Sequence, residues 1–314
     1  MQMILRCFAA AALVFALFSA EPSFAEEKKS ILITGASTGI GRNLAETLAG
    51  MGHHVYAGAR KDEDLAELDA IDNITAVRLD VTKQEQIDAV VALIKEKGTG
   101  LYGLVNNAGV GAGGPVLEAS IEDTQFVYAV NVEGVYRTTK AFAPLVIESK
   151  GRIATTGSIA GVRSGPGWST YAGSKHWMEA FADSLAGEME PLGVHASIIE
   201  PGSYQSNIRR SGWKRAFEDI EAGGGEITDE MKQAYEATAA RELSFKEPDD
   251  VSAAFVHALF DEAPLRRYIV VPRAKQGEST IRRAIARVVQ LNEWGPYSLS
   301  RDELVEMLDE ALAE

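Results

Sequence analysis

Ile31-Leu32-Ile33 runs directly into Thr34-Gly35-Ala36-Ser37-Thr38-Gly39-Ile40-Gly41, and this junction constrains the fold more than any other feature of the chain. Consecutive apolar residues ending at a turn read as a strand buried on both faces, the state of a parallel strand covered by helices. Glycines let the backbone turn tightly and approach a ligand without a Cβ in the way. Residues 42–50 then take helical spacing. A strand, a glycine-rich turn and a helix N-terminus together present backbone N–H groups suited to holding a pyrophosphate.

The same rhythm recurs downstream. Strand-like segments at 54–59, 74–79, 103–106, 152–156 and 195–200 alternate with helix-like segments at 62–68, 83–97, 122–148 and 171–187. A helix opening at Pro248-Asp249-Asp250 precedes a last strand at 268–271. Short connections between such segments imply right-handed βαβ units and hence an α/β fold, a Rossmann-type doubly wound parallel sheet. One catalytic unit is expected over residues 26–275.

Two regions depart from the rhythm. Residues 207–246 form two charged, helix-like pieces around Gly223-Gly224-Gly225, a pattern that suits a substrate lid. Residues 276–314 form a C-terminal helical extension. There Ile281, Ile285, Val288 and Val289 recur at helical spacing opposite Arg282, Arg283 and Arg287. Ser300 and Glu303 are spaced as a capping box ahead of Leu304, Met307, Leu308, Ala311 and Leu312. Both stripes are expected to be core or subunit contacts.

Composition narrows the chemistry. A formal net charge of -14 over 314 residues opposes a nucleic-acid partner, because phosphate contacts need clustered Lys and Arg. The single cysteine, Cys7, removes disulfides and Cys-ligated metal from consideration, and no His spacing suggests a metal site. Cys7 lies in an apolar run over residues 7–20, preceded by Arg6 and followed by Ser23-Phe24-Ala25. That anatomy predicts a signal peptide over residues 1–25 and an exported, periplasmic or secreted protein. The alternative is a membrane anchor with a cytoplasm-facing domain, for which the run is short.

The glycine loop departs from the G-x-G-x-x-G fingerprint, with three residues between its first two glycines and one between the last two. This Thr-Gly-x-x-x-Gly-x-Gly spacing resembles the short-chain dehydrogenase/reductase family. Its other marks follow in order: Asp80-Val81, Asn106-Asn107-Ala108-Gly109, Asn131, Ser158, Tyr171-Ala172-Gly173-Ser174-Lys175 and Pro201-Gly202, with Ser206 where the family usually has Thr. The resemblance covers about residues 30–272. It implies catalytic roles for Asn131, Ser158, Tyr171 and Lys175. It further implies a nicotinamide cofactor held by Gly35, Ser37, Thr38, Gly39, Ile40, Gly41, Asp80, Val81, Asn107, Ala108, Gly109, Tyr171, Lys175, Pro201, Gly202 and Ser206. By the same resemblance Lys175 contacts the nicotinamide ribose, and Asn131 positions a water leading from Lys175 to solvent.

Physical chemistry explains why the central residues belong together. Side chains four apart on a helix share a face, so the Lys175 ammonium can sit beside the Tyr171 phenol and favour its ionised form. Tyr171 can then exchange a proton with a carbonyl or alcohol oxygen that Ser158 holds. Cofactor choice rests on the end of the second strand, where Ala59-Arg60 replaces the acidic residue that binds the ribose of NAD. A guanidinium suits a 2′-phosphate, so Arg60 favours NADP over NAD. The expected partner is a small carbonyl or alcohol substrate, with Trp168, Tyr204 and Trp213 as apolar pocket walls. The resemblance also implies a homodimer or homotetramer built through the long helices carrying Asn131 and Tyr171. Two other readings stay open: a non-catalytic nucleotide-binding sensor, which normally lacks the Tyr or Lys, and an extended-type epimerase or dehydratase, disfavoured by the glycine spacing.

Overall fold

The computed structural model describes residues 28–313. The expected signal peptide and Cys7 lie outside the described residues. Seven strands, β1 (Ser30–Ile33), β2 (His54–Ala59), β3 (Ile74–Arg78), β4 (Gly103–Asn106), β5 (Arg152–Thr156), β6 (His195–Pro201) and β7 (Arg267–Val270), form one sheet in the order β3-β2-β1-β4-β5-β6-β7. Every neighbouring pair is parallel. This is the Rossmann-type arrangement. Strand order reverses between β1 and β4, so the loops leaving those strands diverge and open a crevice at their carboxyl ends.

Alternation along β1 distributes its side chains to the two layers. Ile31 and Ile33 pack with Leu44 and Leu48 of α1 (Gly39–Gly50) and with Phe255 and Leu259 of α9 (Asp249–Phe260). Leu32 faces the other way, into a cluster with Ile87 of α3 (Gln84–Lys97), Phe142 of α5 (Val135–Glu148) and Leu185 of α6 (Ser169–Met189). All three β1 residues have no exposed surface, and each such burial is worth about 1.5–3 kcal/mol. The strand that feeds the glycine loop is therefore clamped from both sides. The remaining helix of the first half, α2 (Asp62–Asp69), adds Leu68 to the first layer.

The stretch predicted as one helix over 122–148 is broken into α4 (Ile121–Tyr128), a π-helical segment at Ala129–Gly134, and α5. Such a bulge re-aims the side chains it carries, and here it carries Asn131. The 207–246 region folds as α7 (Ile208–Ala222) and α8 (Asp229–Leu243). Neither helix contributes to the core. Glu242 is the one residue of the pair that is buried, and it accepts from Arg209 N and Arg210 Nε at 2.9 Å each.

The extension forms α10 (Ala274–Leu291) and α11 (Arg301–Ala313). The capping box is present: Glu303 accepts from Ser300 N at 2.7 Å, and Glu303 N donates to Ser300 Oγ at 3.3 Å. The apolar stripes are not core of this chain, because Ile281, Ile285, Val288 and Val289 are about half exposed. α10 seats its polar side on the body instead. Among the described residues, no helix is long and apolar enough to cross a membrane.

Candidate active site

Thr34 and Asn107 build the glycine loop from beneath. Thr34 Oγ1 donates to Val105 O and accepts from the backbone N–H groups of Asn107 and Ala108, at 3.0 Å each. The Asn107 amide donates to Thr34 O and Gly35 O at 3.0 Å, so its side chain holds the loop shut. Gly35 has φ +66°, and a Cβ there would come within 2.8 Å of Ala108 Cα. A Cβ on Gly41 would meet Gly35 O at 2.4 Å. Gly41 is buried and lies outside the cleft wall, which makes it a packing glycine for the helix against the loop.

The N-terminus of α1 faces the cleft with its first-turn N–H groups uncapped. Thr38, at the cap, makes no side-chain hydrogen bond to them, and no acid sits in the first turn. Uncapped N–H groups and the positive end of the helix dipole suit an anion. Ser206, arriving from the end of β6, packs over this loop; a Cβ on Gly39 would lie 3.2 Å from its Cα.

From here a cleft of about 670 Å³ extends across the carboxyl ends of the strands. Its wall contains Gly35, Ser37, Thr38, Gly39, Ile40, Arg60, Asp80, Val81, Asn107, Ala108, Gly109, Pro201, Gly202 and Ser206. At its far end stand Ser158, Tyr171 and Lys175. The structure thus brings together every predicted site residue except Gly41 and Asn131. Asn131 is fully buried beside the cleft: its Oδ1 accepts from Val110 N at 2.9 Å and its Nδ2 donates to Val110 O and Ser174 Oγ. That side chain shapes the loop after β4.

Ser158 ends β5's connection and accepts from Ala160 N at 3.1 Å, which fixes its hydroxyl at the cleft. Tyr171 hydrogen-bonds to it from the first turns of α6. Burial raises the Tyr171 pKa above its usual value, while Ser158 and the charge of Arg209 pull it down. Lys175 lies one turn later with its Nζ 5.8 Å from the centre of the Tyr171 ring. It donates to Thr156 O at 2.7 Å and contacts Met178 Sδ at 3.3 Å. Burial pushes the Lys175 ammonium down to about 7, against the opposing pull of Glu179. The expected lowering of the phenol by Lys175 is therefore not what dominates in this geometry: burial acts on both groups and disfavours both charges.

The short chain dehydrogenase family profile matches residues 29–216. The chain belongs to the short-chain dehydrogenase/reductase family. Mitochondrial D-beta-hydroxybutyrate dehydrogenase of Mus musculus is 39% identical over 186 residues, covering 56% of this chain and 54% of that enzyme. The match thus spans about half the length of that relative. A short-chain dehydrogenase/reductase from Burkholderia phymatum, solved in complex with NAD, is 27% identical, covers 87% of this chain and 98% of its own, and superposes with a TM-score of 0.72. The closed form of serine dehydrogenase complexed with NADP+ is 26% identical, covers 77% and 94%, and has a TM-score of 0.66. The family's members therefore include structures with either nicotinamide cofactor, and the glycine cradle and uncapped helix here fit such a dinucleotide.

An ionic cluster next to Lys175, off the cleft wall, escaped the sequence reading. Glu179 sits one turn beyond Lys175, and Glu200 ends β6 with no exposed surface. One guanidinium, Arg267, serves both, with Nε 3.0 Å from Glu179 Oε2 and 3.8 Å from Glu200 Oε1, and it also pairs with Asp183 at 2.9 Å. Neither Glu200 oxygen has a hydrogen-bond partner. Burial and the Glu179 charge push Glu200 up to about 8. The i, i+4 spacing of Lys175 and Glu179 was the available signal. Of the three expected aromatic walls, Tyr204 does line the cleft and the two tryptophans are corrected. Tyr204 is 3% exposed and packs into the core with its hydroxyl on Asp250, while Trp168 and Trp213 lie off the cleft wall. Trp213 instead meets Phe217 on its own helix.

Proposed function

We propose that the protein is an NADP(H)-dependent oxidoreductase that moves hydride between the nicotinamide and a carbonyl or secondary alcohol. The observation that carries this reading is the placement of Ser158, Tyr171 and Lys175 at one end of a single cleft whose other end is the uncapped N-terminus of α1. When bound, the cofactor supplies or accepts the hydride. The chain's own residues handle the oxygen. Ser158 and Tyr171 share a hydrogen bond and so converge on one position, where a carbonyl oxygen can replace it. Burial keeps Tyr171 protonated near neutral pH, ready to give its proton to that oxygen. The phenolate then formed is balanced by the Lys175 ammonium, and in the oxidative direction Tyr171 takes the proton back.

Arg60 supports the phosphorylated cofactor. It is 61% exposed at the end of β2, with Lys61 beside it on the cleft wall and Asp80 Oδ2 at 4.0 Å. Ala59 before it is apolar and buried, so no carboxylate stands there to repel a 2′-phosphate. Residues 207–246 serve as the lid. α7 lines the cleft through Arg210 and Lys214, and Arg215 ties it to Asp123 at 3.3 Å. Arg210 and Arg215 already pair with carboxylates of this chain, so it is Lys214 that favours a substrate bearing a carboxylate, which agrees with a relative named for D-beta-hydroxybutyrate. The test is nicotinamide absorbance with NADPH, NADH and their oxidised forms across a panel of hydroxy acids, keto acids and neutral ketones. Turnover confined to NAD, or absent for every alcohol and carbonyl, would overturn the proposal.

A further inference from the structure

The C-terminal arm wears its apolar side outward. On α10 the residues that meet the body are polar: Thr280 is fully buried, Gln276 donates to Ser203 Oγ at 3.1 Å, and Arg287 contacts His176 Nε2 at 3.1 Å. Ile281, Ile285 and Val288 lie about 80° or more around the helix from Thr280 and Arg287, since residues advance about 100° each, and they are 50%, 55% and 50% exposed. A helix of a water-facing monomer ordinarily does the reverse. α11 buries none of its residues, and its Met307, Leu308 and Leu312 are exposed by 55%, 54% and 76%. The intervening turn is closed by Asn292, which bonds Leu299 N and O at 2.8 Å each, and it holds Trp294 and Tyr297 almost wholly in solvent. Contiguous apolar surface of this kind marks an interaction site.

Charge distinguishes the two helices. α10 carries four basic residues against Glu278, a net of +3; α11 carries five acids against Arg301, a net of -4. We infer that a second copy of this chain covers the arm, with α10 of each protomer lying on α11 of its partner about a two-fold axis. In a two-fold interface each contact occurs twice with the roles exchanged, so one complementary pairing satisfies all four helices. Pairing α10 with α11 of the partner sets basic flanks against acidic ones. Pairing like helices would set arginine against arginine and carboxylate against carboxylate. Trp294 and Tyr297 are the residue types that anchor interface centres. An anionic lipid surface fits less well, because residues 274–314 together hold five basic and eight acidic residues. α10 rests on the helix carrying Tyr171 through Arg287 and His176, while the apolar residues occupy its other flanks, and the inference stands independently of the proposed reaction.

The chain's one cysteine makes the test direct. In full-length protein with Cys7→Ser, one tagged copy carrying Ile285→Cys is co-expressed with a differently tagged copy carrying Leu308→Cys, and the mixture is oxidised. A disulfide-linked species bearing both tags is expected, in excess over species bearing one tag. A second measurement uses sedimentation: Leu308→Asp should raise the dissociation constant of this association about 100-fold, as for a charge placed in an interface centre. Both residues lie outside the cleft, so turnover per protomer stays at its original level. Absence of the mixed-tag species, or sedimentation unchanged by Leu308→Asp, would overturn the inference. So would uncross-linked protein that pellets with phosphatidylglycerol vesicles, which would make lipid the occupant.

Discussion

Replacing Glu200 with Gln should flatten the dependence of stability on pH. Glu200 has no exposed surface, neither of its oxygens is hydrogen-bonded, and the Arg267 guanidinium nearest to it is shared with Glu179 and Asp183. Its folded pKa of about 8 lies well above the ordinary carboxylate value of 4.5. The folded state therefore binds more protons than the unfolded state across that window, so stability falls as pH rises through it. Each pK unit corresponds to about 1.4 kcal/mol, which gives a loss of about 3 kcal/mol between pH 5 and pH 8 and little further change above that. Gln keeps the shape and removes the titration. Guanidinium unfolding of both proteins at pH 5, 6, 7 and 8 reads the effect as diverging curves. The variant should gain on the wild type by about 3 kcal/mol from the lowest to the highest pH. Parallel curves would refute the reasoning, because they would mean that Glu200 titrates alike in the folded and unfolded chain.

Three further outcomes are expected. Tyr171→Phe should keep cofactor binding, measured by fluorescence titration with NADPH, and lose about 10²- to 10⁴-fold in turnover; wild-type turnover would remove Tyr171 from the proton step. Arg60→Ala should weaken NADPH at least about tenfold while leaving NADH nearly unchanged, since only the 2′-phosphate can use a charge-assisted contact there; equal loss for both cofactors would sink the NADP assignment. Mass spectrometry of the protein recovered by cell fractionation should find a mature chain beginning at Glu26 outside the cytoplasm, and an intact N-terminus in washed membranes would replace export with anchoring.

The sheet was legible because each strand announces itself locally. His54–Ala59, Gly103–Asn106 and Arg152–Thr156 form over the same residues that their apolar runs mark, and the residues at their carboxyl ends inherit a place on the cleft from topology alone. What pattern could not convey was how side chains spend their polar atoms. Asn131 reads as a polar residue in a helix interior, whereas the π segment turns its amide onto Val110 and Ser174. Glu200 reads as the end of a strand, and only the approach of β7 reveals that Arg267 is its nearest cation. Trp168 and Trp213 misled because large aromatics near a motif suggest a pocket, yet side-chain direction follows backbone details that sequence spacing does not carry. The stripe on α10 was read correctly as apolar. Its direction depended on Ser279 and Gln276 finding partners on the body, a tertiary choice that no periodicity encodes.

Asn107 does more than close the glycine loop. Its Oδ1 accepts from Thr156 Oγ1 at 3.1 Å, and the carbonyl of that same Thr156 accepts from Lys175 Nζ. One residue and its neighbour thus act as a strut between the phosphate-binding end of the cleft and the proton-handling end, crossing the tips of β4 and β5. The spacing between the two ends is set in the folded chain itself, before any ligand arrives. Under the lid role proposed for residues 207–246, ordering costs on binding fall chiefly on those residues, so affinity for the cofactor and closure over the substrate can vary there while the distance from pyrophosphate to proton donor stays constant.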